Sequence, residues 1–512
     1  MCCMCRSSGI NRREFLGVSA LGVAGAALSF SGGTATAAWD PNKPMTRTGK
    51  PLTVQPILVY EIPKRRPQTS WRSWGGIQTE AHVSEEMSRI ENELQALREK
   101  ADFELTIKPV VKAKSAEQAA QIVGTGGYDV PLVYAAGGWT GLLDTCCTEK
   151  TDNLIFLRHR SGPVYLWYEI IHNRFLRRGG GGFDLDEYRC PGGMTVDDIV
   201  VDDYDEVLTK LRAIYGVHNF LGRRIVALGG ASGWCCEDAP KISREKYRLD
   251  IVAVGYDDLA MRIKKARADR SRVQAAEQAA ARYLALPETE LTTDKPFVVN
   301  AFLLYDIVKG YLAEKDADVF TIMDCMGAVM PISETTACLT LSLLNDEGLL
   351  AFCESDFNVI PSGILLHYIS GKPVFLNDPT FPHHGMVTCA HCTAPRRMDG
   401  VHYARANVVT HFESDYSATP KVELPLGTPV TMICPDCAQK SWLGFTGSII
   451  DNPFLDICRS QYDIQIDGDW KKLLRDHRGF HWMMAVGDYS QELAFACRKI
   501  GVAWENVSQT TA

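Results

Sequence analysis

Residues 349–379, LLAFCESDFNVIPSGILLHYISGKPVFLNDP, constrain the fold of this chain more than any other stretch. Residues 349–353 form a short apolar run, residues 357–370 carry apolar side chains at mixed three- and four-residue spacing, and residues 373–376 form a second apolar run after the helix-ending Gly371. The pattern predicts strand, helix, strand. Each apolar run closes on a carboxylate, Glu354 after the first and Asp378 after the second. A strand-helix-strand crossover makes neighbouring strands parallel, so both acids are expected at the same rim of one sheet. Adjacent strands lie about 4.8 Å apart, close enough for two carboxylates to share a metal ion. The carboxyl rim of a parallel sheet is also where open α/β sheets bind ligands. Read singly, each acid fits a helix-cap or surface role equally well.

The segment Cys353-Glu354-Ser355-Asp356, the apolar helix after it and Gly371-Lys372-Pro373-Val374-Phe375-Leu376-Asn377-Asp378 together resemble the L-fucose isomerase-like superfamily, which includes the fucose and arabinose isomerases. The resemblance implies that Glu354 and Asp378 bind a divalent metal, usually Mn²⁺, and that a histidine near the C-terminus completes the set. Arg478-Gly479-Phe480-His481-Trp482, followed by Gly501-Val502-Ala503-Trp504, resembles the family's ending and nominates His481. Where the family has two adjacent histidines this chain has His481-Trp482, so the role of the second one is lost or moved. His391-Cys392 resembles the family's His-Cys segment and nominates His391 for substrate contact. Two carboxylates and an imidazole suit Mn²⁺ or Mg²⁺ better than a soft-ligand zinc site.

Composition narrows the partners. A length of 512 residues, 46% hydrophobic and 23% charged, describes a multidomain globular protein with large cores. A net charge of −8 makes nucleic acid an unsuitable partner, and the basic clusters Lys64-Arg65-Arg66 and Arg177-Arg178 are short. Residues 1–38 read as a signal peptide: Asn11-Arg12-Arg13-Glu14-Phe15-Leu16 is a twin-arginine motif, followed by a weakly apolar run and Ala35-Thr36-Ala37-Ala38, a peptidase site. The run is too short and too rich in Gly and Ala for a stable membrane span. The expected location is therefore periplasmic or otherwise exported, through the twin-arginine translocase, a route for folded proteins that suits a metalloprotein.

Of 17 cysteines, Cys2, Cys3 and Cys5 belong to the signal. Cys389-x-x-Cys392 and Cys434-x-x-Cys437 have the paired spacing of a structural zinc site, although a disulfide or unlinked thiols fit them as well. The vicinal pairs Cys146-Cys147 and Cys235-Cys236 read as buried thiols.

Elsewhere the chain alternates strand and helix. Strands are expected at residues 51–60, 103–111, 130–135 and 154–158, with helices at 85–100 and 116–122, giving a Rossmann-like α/β domain over 39–165. Its loop Ser70-Trp71-Arg72-Ser73-Trp74 offers two tryptophans around an arginine, a sugar-stacking arrangement or a packed loop. A second Rossmann-like domain is expected over 166–370, with a flexible glycine loop at 179–182, a helical stretch at 257–284 and a helix over 334–344 capped by Ser333. Residues 371–512 show short β runs and predict a β-rich final domain carrying Asp378 and His481.

Two functional classes follow. One is a metal-dependent aldose-ketose isomerase acting on a small sugar through an enediolate. The other is an exported carbohydrate-binding protein on the same scaffold without catalysis. A thiol-redox role for Cys434-Pro435-Asp436-Cys437 is a third, set back by the absence of the strand-to-helix setting of thioredoxin motifs. The resemblance also implies a homo-oligomer.

Overall fold

A computed structural model describes residues 39–177 and 188–508. The twin-arginine segment and the glycine loop at 179–182 lie outside the described residues. The described residues from Asp40 to Ser508 form one unit.

Strand Leu52–Val59 is the centre of the first sheet and is buried at nearly every position, as a parallel strand covered on both faces requires. It pairs in parallel with Leu105–Ile107, Val111–Ala113 and Val130–Ala135, and Leu154–Leu157 and Ile199–Val201 extend the sheet. Residues 103–111, expected as one strand, are split because Pro109 has no N–H to give a ladder. A second, four-stranded sheet is also parallel: Leu350–Phe352, Val319–Ile322, Arg224–Leu228 and Asp250–Val254.

The largely helical stretch expected over 257–284 is found with one break, and the helix expected over 334–344 is corrected. Residues 257–284 form two helices, Tyr256–Ala268 and Arg270–Leu284, because the Asp269 carboxylate accepts from Ser271 N at 2.9 Å and starts a new helix. Ser333 caps nothing forward. Its hydroxyl donates back to the Val329 carbonyl at 2.7 Å, Glu334 turns left-handed at φ +51°, and the next helix is Cys338–Asp346.

The C-terminal part is a seven-stranded, mainly antiparallel sheet running Pro429–Pro435, Trp482–Val486, Phe375–Pro379, Met386–His391, Ser460–Ile466, Ser441–Asp451, Ala503–Asn506. Pro429–Pro435 also pairs with Ser441–Asp451, so the sheet curls back on itself like a barrel. A three-stranded sheet joins Tyr416–Val422 and Ala406–His411 to Thr289–Leu291. The architecture is thus mixed α/β, with parallel sheets followed by a barrel-like antiparallel one.

The organising stretch departs from expectation in one decisive way. Leu350–Phe352 lies at the edge of the parallel sheet, whereas Phe375–Pro379 pairs antiparallel with Met386–His391 and Trp482–Val486 in the barrel-like sheet. The helix between them, Ile360–Ser370, is buried at every residue. A helix buried on every face has no solvent face to present, so it does not lie on the outside of a sheet as an ordinary crossover does. It packs instead between helix Tyr204–Phe220 and strand Trp482–Val486. Glycines allow the approach: a Cβ on Gly216 would sit 2.5 Å from Ile369 Cγ1, and one on Gly363 would sit 2.5 Å from Met483 Cε.

Candidate metal centre

Glu354 stands in the turn after Leu350–Phe352. Glu354 and Ser355 both take left-handed backbone, φ +64° and +47°, at a cost of about 1–3 kcal/mol each that neighbouring structure must offset. Ser232 holds the turn: its N–H donates to the Ser355 carbonyl at 3.1 Å and its carbonyl accepts from Phe357 N at 2.9 Å. Asp378 arrives from the other sheet. The register sets Asp378 opposite Ala390, beside His391, and sets Asn377 opposite Trp482, beside His481. The two acids therefore meet across the junction of two sheets rather than along one rim.

His481 Nε2 lies 3.3 Å from Glu354 Oε2 and 3.3 Å from Asp378 Oδ1, and His391 Nε2 lies 3.6 Å from Glu354 Oε1. The imidazoles are sunk, with side chains 0% and 3% exposed, while the carboxylates reach the surface of a cavity of about 760 Å³. Glu354 Oε2, Asp378 Oδ1, His391 Nε2 and His481 Nε2 are all buried without a hydrogen-bond partner. One orphaned buried polar atom costs about 1–3 kcal/mol, so neighbouring orphans of this kind fit a cation held among some of them. The ligand atoms of Asp378, His391 and His481 lie within 4.8 Å of one another, as do those of Cys353, Glu354 and His391. Carboxylate oxygens and imidazole nitrogens fit Mn²⁺ or another divalent ion of similar hardness.

The far sides of both rings are tied. His481 Nδ1 bonds Asp356 Oδ2 at 2.7 Å, and His391 Nδ1 bonds Thr393 Oγ1 at 3.0 Å. The Asp356 carboxylate can only accept, so it puts a proton on His481 Nδ1, and both contacts orient the rings with each Nε2 turned to the carboxylates. Burial lowers the affinity of His481 for a proton, but its bond to Asp356 and the nearby Glu354 and Asp378 carboxylates outweigh this and raise its pKa to about 9. His391 likewise rises to about 10, burial being overcome by Glu354 and Asp378. Burial raises Glu354, yet the two histidines hold it well below the usual carboxylate range. Asp378 keeps a net upward shift, burial exceeding the pull of His391 and His481. Without a cation, then, the imidazoles carry the balancing charge as imidazolium.

The remaining predicted residues lie elsewhere. Trp71, Arg72 and Trp74 do not line the cavity; they occupy the loop before helix Glu80–Lys100, with Arg72 over the Trp71 ring at 5.3 Å and Trp74 69% exposed. Cys389, Cys392, Cys434 and Cys437 do not form one zinc site, because Cys437 is in a disulfide with Cys236 and the other three are separate buried thiols. The Cys235-Cys236 reading is corrected as well: Cys236 is the disulfide partner and Cys235 is exposed. Cys146 and Cys147 are buried thiols.

Sequence reasoning missed an aromatic wall. Trp234 and Phe480 stack with ring centroids 4.6 Å apart and planes 2° from parallel, each close to half exposed and both lining the cavity. Trp234 also meets His481 edge-on at 5.4 Å. The available signal was a tryptophan in the turn Gly229-Gly230-Ala231-Ser232-Gly233-Trp234, just past a parallel strand. No protein-family model matches this chain, and no curated protein matches it in sequence.

Proposed function

We propose that this protein is a metal-dependent aldose-ketose isomerase of the L-fucose or L-arabinose isomerase-like kind, with Glu354, Asp378 and His481 holding the cation and His391 beside them. The observation that carries this reading is that His481 Nε2 lies 3.3 Å from both the Glu354 and the Asp378 carboxylates, all three offering buried atoms without a hydrogen-bond partner, beside a sugar-sized cavity. A divalent cation there supplies Lewis-acid polarisation of neighbouring sugar oxygens. The Glu354–Asp378 pair moves the proton between C2 and C1. His391 donates to a substrate oxygen, and the Trp234–Phe480 wall receives the apolar face of the sugar ring. Under this reading the two parallel sheets are the paired Rossmann-like domains of that superfamily and the chain assembles as a homo-oligomer.

Export through the twin-arginine route belongs to the same proposal. The Cys236–Cys437 disulfide supports it, since such bonds persist in oxidising compartments.

The test is metal content of the purified protein beside Glu354→Gln, with exchange of the sugar C2 proton into deuterated water over a pentose and deoxyhexose panel. Bound Mn²⁺ lost in the variant, with exchange in the wild type, is the expected result. Sugar binding by a metal-free protein without exchange would replace the isomerase with a carbohydrate-binding protein.

A further inference from the structure

The cavity has a second, chemically different wall. Cys338, Cys392 and His411 place two sulfurs and a ring nitrogen within 4.8 Å of one another. All three residues are more than nine-tenths buried, at 3%, 2% and 8% exposure, and all three line the cavity. None belongs to the carboxylate-histidine set. They come from separate elements: Cys338 opens helix Cys338–Asp346, Cys392 follows strand Met386–His391, and His411 ends strand Ala406–His411.

Three observations separate this cluster from ordinary buried thiols. His411 Nδ1 is buried with no hydrogen-bond partner, a state that costs about 1–3 kcal/mol and that core packing alone does not explain. The Thr336 hydroxyl donates to Cys338 Sγ at 3.1 Å, and Cys338 sits at a helix N-terminus; both features favour a thiolate, the form in which sulfur ligates. Cys458 lies within hydrogen-bonding reach of Cys392 on the cavity side, so a further sulfur borders the group.

We propose that Cys338, Cys392 and His411 form a second metal site, specific for a soft or borderline d¹⁰ cation of the Zn²⁺ class, with its fourth position facing the cavity beside Cys458. Two thiolates and a neutral imidazole balance a dication and supply three ligands of a tetrahedron. Softness keeps the two sites apart: thiolates strongly favour Zn²⁺ over Mn²⁺, whereas carboxylates and imidazoles accept Mn²⁺ as well and leave the choice to metal availability. The inference stands whether or not the protein isomerises sugars, because it shares no ligand with the Glu354 site. Folding before export would let the ion enter in the reducing cytoplasm and shield both sulfurs afterwards.

The experiment uses the full chain, purified under reducing conditions. Elemental analysis is expected to find about one zinc per chain, reduced about tenfold or more in Cys392→Ser and His411→Asn and retained in Glu354→Gln. Co²⁺ added to the zinc-free wild type should give sulfur-to-cobalt charge-transfer absorption that Cys392→Ser abolishes. Because the variants are buried and could misfold, the wild type also carries a direct readout: zinc should protect Cys338 and Cys392 from alkylation relative to the chelator-treated chain. Absence of cobalt-thiolate absorption in the reduced wild type, equal alkylation with and without zinc, or zinc that departs with Glu354→Gln and stays in Cys392→Ser would each overturn the proposal.

Discussion

His481 and Asp356, both buried, share a 2.7 Å bond through Nδ1 and Oδ2. Asp356 stands two residues beyond Glu354, so one strained turn supplies both an acid at the cavity and the acid that orients the imidazole facing it. Asp356→Asn keeps the shape of that contact but removes the charge behind the ring. We expect Mn²⁺ binding about 10- to 100-fold weaker by calorimetric titration, the usual effect of removing an orienting partner. Unchanged affinity would reduce Asp356 to a structural role.

Metal should also appear as stability. Mn²⁺ at 100 times its dissociation constant is expected to raise the unfolding free energy of the wild type by about 2.7 kcal/mol. His481→Gln should remove the Mn²⁺-dependent increment while leaving any zinc-dependent increment in place, read by denaturant unfolding at fixed metal concentrations.

Trp234 meets Phe480 face to face at 4.6 Å, at the cavity rather than in the core. Trp234→Ala removes a stacking surface worth about 0.5–1.5 kcal/mol. On the isomerase reading KM should rise about two- to tenfold with kcat nearly unchanged, the signature of uniform binding lost. A fall in kcat alone would instead place Trp234 against the reacting atoms.

Arg158 and Glu86 form an ion pair with both side chains fully buried, and Arg158 reaches Glu93 as well, at 2.5 Å. Tyr165 donates to Glu86 at 2.5 Å and Tyr204 donates to Glu93 at 2.7 Å. Arg158→Met would leave Glu86, fully buried beneath the first sheet, with only the half-exposed Arg89 at 3.1 Å and the Tyr165 hydroxyl as partners. The expected loss is about 3 kcal/mol of stability, the lower end for a broken buried pair because Arg89 remains, measured by denaturant unfolding. The double variant Arg158→Met/Glu86→Leu should recover much of it.

Burial pushes the His367 imidazole down to about 4 from an ordinary 6.5, against the opposing effect of its 2.8 Å bond to the Lys372 carbonyl. The folded chain thus resists a proton that the unfolded chain accepts. The stabilising contribution is complete above pH 6.5 and is lost as pH falls through 4. The total is about 3 kcal/mol, so wild-type stability should drop over that acid window. His367→Gln should flatten that limb.

The sequence by itself determined the local elements. Apolar spacing marked Leu52–Val59, Val130–Ala135, Leu154–Leu157 and Ile360–Ser370 to within a few residues, because periodicity states which side chains are buried and in what conformation. The ends of two apolar runs singled out Glu354 and Asp378, and the resemblance to the isomerase family singled out His481 and His391; the structure brings the four near one another. Strand partners were beyond the reach of the sequence: alternation fixes a face, not a neighbour. For that reason the two acids were expected on one rim, when they belong to different sheets joined by a wholly buried helix. The same limit hid Cys236–Cys437, separated by 201 residues, and the contact of Trp234 with Phe480. It also hid the meeting of Cys338 with Cys392 and His411. Regular local spacing placed each of these residues on its element, and the packing of separate sheets, which no local spacing encodes, decided which of them touch.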